Sequence, residues 1–166
     1  PVDLDAPSGV DLVRVETALE MREAVVEHVP TADALVMTAA VADYRPAVRH
    51  AHKVKKGAGD EVVNLFRNPD ILVNLHHALA SRAARPVRVG FAAETDDMVA
   101  SARRKLAAKG VDLIVANPVP ATFGSSEVSA VLVDVGGATP LPELSKRGLA
   151  DAILDRVVGL LAARPD

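Results

Sequence analysis

The chain has 166 residues, of which 49% are hydrophobic, and a formal net charge of -3. That length suits one ordinary domain with a sizeable core, and the charge balance excludes a global basic field of the kind that draws proteins onto nucleic acid or anionic membranes. Cysteine is absent and aromatic residues are 2% of the chain, which excludes disulfides, thiolate metal sites and a cysteine nucleophile and argues against a base-stacking nucleic-acid surface.

The opening stretch, PVDLDAPSGVD, is loop-like. A doubly wound fold carries its first βα unit ahead of such a loop, so we expect that unit to be missing through truncation at the N-terminus. Leu12 to Val15 fits a short strand, and TALEMREAVVEHV fits a helix capped by Thr17. Ala34 to Val41 reads as an apolar strand that leaves through the small residues of MTAAVADYRPA. A lysine-rich loop, HAHKVKKGAGD, precedes a strand from Val62 to Arg67. NPDILVNLHHALA then fits a helix with Asn68 as cap and Pro69 at its first position.

Val87 to Ala92 is the next apolar strand, followed by TDDMVASARRKLAAKG. Thr95 or Asp96 is placed to open that helix and Gly110 to close it, with acidic residues in the first turn and basic ones in the last. Strands follow at Asp112 to Ala116 and Ser129 to Val135, and a helix from about Ser145 to Ala163 ends the chain. Strands alternating with amphipathic segments predict an α/β fold, a mainly parallel, doubly wound sheet with helices on both faces, and a single domain spanning residues 1–166. No run of about 18 uncharged apolar residues occurs and no signal core follows a basic start, so cytoplasm is the expected compartment.

Neither G-x-G-x-x-G nor G-x-x-x-x-G-K-[ST] follows a strand, so the usual phosphate cradles are absent. Four features instead gather at predicted strand ends, where ligands of parallel α/β sheets bind. They are MTAAVADYRPA with Asp43, the loop with Lys53, Lys55 and Lys56, the helix start RNPDIL, and GFAAET with Phe91 leading to Lys105 and Lys109. Each also has a plainer reading. The lysine loop fits a solvated hairpin tip, Asp43 a turn former, and Asn68 to Asp70 an ordinary helix start. Lys109 suits neutralisation of a helix C-terminus, and Asn117 either faces a ligand or begins the turn at Pro118. The five histidines form no convincing metal site, and no G-x-S-x-G nucleophile is present.

AAVADYRPA, KVKKG, NPDIL, GFAAET and KGVDLIVAN occur in an order and at a spacing that resemble the phosphopantothenoylcysteine synthetase domain of the bacterial bifunctional coenzyme A biosynthesis flavoproteins. The resemblance covers nearly the whole chain. It implies a Rossmann-like ligase domain that joins 4'-phosphopantothenate to L-cysteine, using CTP and Mg2+ through an acyl-cytidylate and releasing CMP and pyrophosphate. By the same resemblance the nucleotide contacts are Met37, Thr38, Ala39, Asp43, Lys53, Pro69, Asp70, Ile71, Leu72, Phe91, Lys105 and Lys109, and Lys53 and Lys56 serve turnover. The family's N-terminal Gly-rich unit and the Ser/Asn loop that processes the acyl-cytidylate have no counterpart in this chain, which leaves the activity of the isolated polypeptide open. The FMN-binding decarboxylase domain that usually precedes this one is also absent, so no FMN is expected. A homodimer with EVVNLFR at its interface is implied. Two alternatives are a non-catalytic nucleotide-binding or dimerisation module and an ATP-using form of the same ligase.

Overall fold

Two runs, VGFAA and LIVA, carry apolar residues at successive positions, which suits strands buried on both faces. The computed structural model describes residues 5–50, 52, 53, 55, 59–80, 85–94, 97–118 and 127–164. In chain order its elements are α1 (Ala18–His28), a 3-10 turn (Val29–Thr31), β1 (Ala34–Met37), β2 (Tyr44–Pro46), β3 (Leu65–Arg67), α2 (Ile71–Ala78), β4 (Val87–Glu94), α3 (Met98–Lys109), β5 (Leu113–Pro118), β6 (Glu127–Val128), β7 (Val131–Asp134), β8 (Gly137–Pro140), β9 (Leu144–Ser145) and α4 (Lys146–Ala162). They divide into two units: Pro1–His28 with Val41–Pro69, and Val29–Ala40 with Asp70–Asp166.

The second unit holds a five-stranded sheet in the order β1-β4-β5-β7-β8. β1, β4 and β5 run parallel, with Met37 beside Gly90 and Gly90 beside Ile114. β7 and β8 continue the sheet antiparallel as a hairpin. Alternation along the strands sorts side chains onto two faces. On one face Val87, Val89, Leu113, Val115 and Leu132 pack against Ile153 and Val157 of α4. On the other Ala92, Ile114, Ala116 and Val133 meet Leu72 of α2 and Ala102 of α3. The α/β, Rossmann-like architecture with helices on both faces is therefore as expected. Among the described residues no helix is long and apolar enough to cross a membrane.

The helix ends follow local chemistry. Ser145 caps α4 by accepting from the Gly148 N–H at 3.1 Å, and Gly110 ends α3 in the left-handed conformation at φ 59. The start of α2 differs from expectation. Asp70, not Asn68, is its cap, its Oδ1 accepting from the Val73 N–H at 3.2 Å, and Pro69 precedes the cap. Asn68 is spent elsewhere, donating to the Ala42 carbonyl. Thr95 and Asp96 lie outside the described residues, and Asp97 stands at the N-cap of α3 without a side-chain capping bond.

The first unit comprises α1 and an antiparallel ribbon of β2 and β3, in which Tyr44, Arg45 and Pro46 face Arg67, Phe66 and Leu65. Thr17 caps α1 as its sequence predicts. Its Oγ1 accepts from the Glu20 N–H at 3.2 Å, while the Glu20 carboxylate accepts from the backbone N–H groups of Glu16 and Thr17 at 2.7 and 3.2 Å. Leu12 to Val15 is not a strand. A strand needs a neighbour to complete its ladder, no described residue pairs with this stretch, and Leu12 is 54% exposed. The strands expected at Ala34 to Val41 and Val62 to Arg67 are shorter, with register pairs that end at Met37 and begin at Leu65, beyond which one backbone bond runs from the Ala47 N–H to the Asn64 carbonyl. β8 was not expected: Gly137, Ala138 and Pro140 have little strand propensity, and the ladder to β7 makes residues 137–140 an edge strand.

Candidate functional site

Gly90 decides how closely α2 approaches the sheet. A Cβ there would lie 3.3 Å from Leu72 Cδ1 and 3.1 Å from Ile114 Cδ1, so the bare backbone lets the first turn of α2 settle on β4. Met37, the register partner of Gly90, packs against the same cluster as Leu72. The exit of β1, with exposed Thr38 and Ala39, thus belongs to the same face of the sheet as Asp70, Ile71 and Leu72.

Asp70 divides its carboxylate between two tasks. Oδ1 accepts from Val73, and Oδ2 pairs with Lys109 Nζ at 3.3 Å. The side chains are 43% and 33% exposed, so water still reaches both. Lys105 lies one helical turn before Lys109 on α3 and is half-buried. The carboxylate already occupies the positive end of α2. A phosphate placed there would meet like charge. Hydroxyl or amino groups of a ligand, which donate, suit that carboxylate, and an acceptor or an anion suits the ammonium of Lys109.

Phe91 lies on the opposite face of the sheet, packed against the cluster that includes Ile153 and Val157 of α4. The period of two was the available signal, since Val87, Val89 and Phe91 share one side of β4. Asn117 is half-buried near the end of β5, in register with Ala93.

In the first unit, Asp43 is exposed and Pro69 half-buried. Asn68 ties their neighbourhood together. Its backbone N–H donates to the Asp43 carbonyl at 2.7 Å, and its side-chain amide donates to the Ala42 carbonyl at 2.8 Å. Arg45 Nη1 donates to Asn68 Oδ1 at 3.0 Å and to the Arg67 carbonyl at 2.9 Å. Sequence reasoning gave Asn68 a capping role and Arg45 none. Lys53 is exposed, and Lys56 lies outside the described residues.

A second charged group in the sheet-bearing unit sits at the amino ends of β4 and β5. Arg88 is only 5% exposed, its Nε 3.7 Å from Asp112 Oδ2 and its Nη1 3.4 Å from His76 Nδ1. Burial lowers the pKa of this guanidinium, and the Asp112 carboxylate opposes that shift. This cluster is at the end of the sheet away from Met37 and Asn117 and reads as a packed ionic contact of the fold.

Residues 1–161 match the family described as the DNA/pantothenate metabolism flavoprotein C-terminal domain. The chain belongs to this family. It is 39% identical over 165 residues to the coenzyme A biosynthesis bifunctional protein CoaBC of Bacillus subtilis, and 42% identical over 166 residues to that of Mycobacterium bovis. These matches take in 96% and 94% of the chain, which spans 40% of the length of each relative. A crystal structure of the C-terminal domain of CoaBC superposes with a TM-score of 0.77 at 31% identity, over 99% of this chain and 72% of that one. In this DNA/pantothenate metabolism flavoprotein domain, then, the sheet-bearing unit brings Met37, Asp70, Ile71, Leu72 and Lys109 to one face of the sheet and sets Phe91 on the other.

Proposed function

We propose that the chain is the ligase domain that joins 4'-phosphopantothenate to L-cysteine, with CTP as activating nucleotide, in the cytoplasm. The observation that carries this reading is the Asp70–Lys109 pair at the start of α2. These two residues are far apart in sequence, and the resemblance assigns both to the nucleotide. In the first half-reaction a carboxylate oxygen attacks the α-phosphorus of CTP, the bond to the β-phosphate oxygen breaks, and pyrophosphate leaves. The amine of cysteine then attacks the acyl carbon and CMP departs.

Attack of one anion on another needs cations where negative charge grows. Lys53 and Lys56 take that part. Asp43 and Asp70 are acceptors and suit ribose hydroxyls or the cytosine amino group, and Lys105 and Lys109 are donors. Thr38 and Ala39, exposed after β1, offer backbone groups to the nucleotide. Among the described residues no group of three or more His, Asp or Glu side chains could hold a metal ion. A Mg2+ ion arriving with the triphosphate would take its ligands from phosphate oxygens and water.

The first unit supports a homodimer. Its ribbon exposes Tyr44, Leu65 and Phe66, with Val62 and Val63 just before it, an apolar strip suited to a second copy.

Pyrophosphate release measured on the full-length polypeptide, with phosphopantothenate and cysteine plus either CTP or ATP, tests the ligase. Release with CTP is expected. Release with ATP alone moves the preference to ATP, and none with either nucleotide overturns the ligase. Lys53→Ala should cut turnover or nucleotide affinity by about tenfold or more without changing the melting temperature.

A further inference from the structure

Three backbone pairs make a short ribbon, and no described residue of its unit is buried beneath it. Something else must fix the chain where it leaves the ribbon at Asp43. The ladder continues one step past Tyr44 and Arg67 through the bond from the Asn68 N–H to the Asp43 carbonyl. The Asn68 side chain adds a second bond beside it, its amide reaching the Ala42 carbonyl at 2.8 Å. The Asn68 rotamer is held in turn, because Arg45 Nη1 donates to its Oδ1. Arg45 is itself anchored by the Arg67 carbonyl and by the face of Phe66, 5.8 Å from its guanidinium carbon to the ring centroid.

We propose that Arg45 and Asn68 are positioning residues for Asp43, fixing the backbone at residues 42 and 43 so that the Asp43 carboxylate meets the nucleotide in one orientation. This rests on the reading of Asp43 as a nucleotide contact. The network uses the carbonyls of Ala42 and Asp43 and leaves the carboxylate outside it. A preorganised acceptor of this kind loses little entropy when the ligand arrives. Asn68→Ala removes both side-chain bonds. Arg45→Lys keeps the charge but loses the planar guanidinium whose Nη1 donates to both Arg67 and Asn68.

The test is steady-state kinetics of the full-length polypeptide with Asp43→Asn, Asn68→Ala, their double variant and Arg45→Lys. Asn68→Ala should raise KM for CTP about tenfold while KM for phosphopantothenate and for cysteine stays within about twofold. The double variant should be no worse than Asp43→Asn alone, because a misplaced carboxylate and a missing one cost the same contact. Arg45→Lys should raise KM for CTP by about threefold, and it carries the test if Asn68→Ala fails to fold. Equal rises in all three KM values, or additive effects in the double variant, overturn the positioning role and leave the nucleotide role of Asp43 standing. An unchanged KM for CTP in Asp43→Asn overturns the nucleotide role itself, and the positioning role with it.

Discussion

The two units are built on different physics. In the sheet-bearing unit Val87, Val89, Leu113, Val115 and Val133 are fully enclosed between α4 on one side and α2 and α3 on the other. In the unit of α1, β2 and β3, no described residue is fully buried, and α1 has only a half-buried stripe with Leu19, Met21 and Val25. The first kind of structure sets side chains by packing, at a density that leaves little freedom. The second sets them by hydrogen bonds in water, each of which contributes only about 1 kcal/mol net. Candidate site residues therefore inherit unequal rigidity. Asp70 and Lys109 are held on a packed scaffold, whereas Asp43 depends on Asn68 and Arg45. Breaking one packed contact should cost the molecule far more than breaking one contact of the ribbon.

The largest effect is expected at Gly110. Its φ of 59 disfavours any side chain, and a Cβ there would overlap the His76 imidazole. The left-handed conformation and the forced repacking together should cost about 4 kcal/mol in Gly110→Ala, read as a lower urea midpoint. An unchanged midpoint would mean that His76 does not pack on the α3 terminus.

Next comes a matched pair of substitutions, one in each unit. Leu75 is 2% exposed and Leu65 is 54% exposed. Leu75→Ala should lose about 3 kcal/mol by leaving a cavity under α2. Leu65→Ala should change the unfolding free energy of the monomer by no more than about 0.5 kcal/mol while weakening self-association in analytical ultracentrifugation. Equal destabilisation by the two would erase the contrast between the units. A dimer untouched by Leu65→Ala would remove the ribbon from its interface.

The same contrast explains what could be read from the sequence. β4 and β5 were legible because Val87, Val89, Leu113 and Val115 on one face and Ala92, Ile114 and Ala116 on the other are apolar where burial on both faces demands it, and α3 and α4 because Gly110 and Ser145 mark their ends by local chemistry alone. Leu12 to Val15 misled because alternation predicts a strand only where a neighbour exists to pair with it. β8 was hidden for the opposite reason, since Gly137 to Pro140 form a strand through the ladder of β7 despite poor propensity. At NPD two residues could cap α2, and nothing local shows that Asn68 is already committed to Ala42. The site was legible as a set of residue types at strand ends. The pairing of Lys109 with Asp70 was not, because it depends on how α2 lies against α3, which no spacing in the sequence encodes.

A smaller effect follows at that pair. Lys109→Met keeps most of the aliphatic stem and removes the charge from Asp70. With both side chains a third or more exposed, stability should fall by at most about 0.5 kcal/mol, whereas affinity for CTP, measured by calorimetry, should drop clearly. Unchanged affinity would return Lys109 to the role of a helix-end charge.

The smallest effect concerns the start of α1, in the unit without a buried core. Hydrogen bonds from the backbone N–H groups of Glu16 and Thr17 hold the Glu20 carboxylate below its usual pKa. A carboxylate whose folded pKa is lowered stabilises the fold fully above its unfolded value, and that contribution fades as pH falls through the lowered folded value. Acidification should therefore open the Thr17 cap before it disturbs the packed sheet. Amide exchange would show this as faster exchange of Glu16 and Thr17, with Val89 and Val115 unchanged. Glu20→Gln retains an acceptor oxygen but cannot titrate in this range, so its exchange at these two amides should lose that acid-dependent step. If the step survives in Glu20→Gln, another group governs the end of α1.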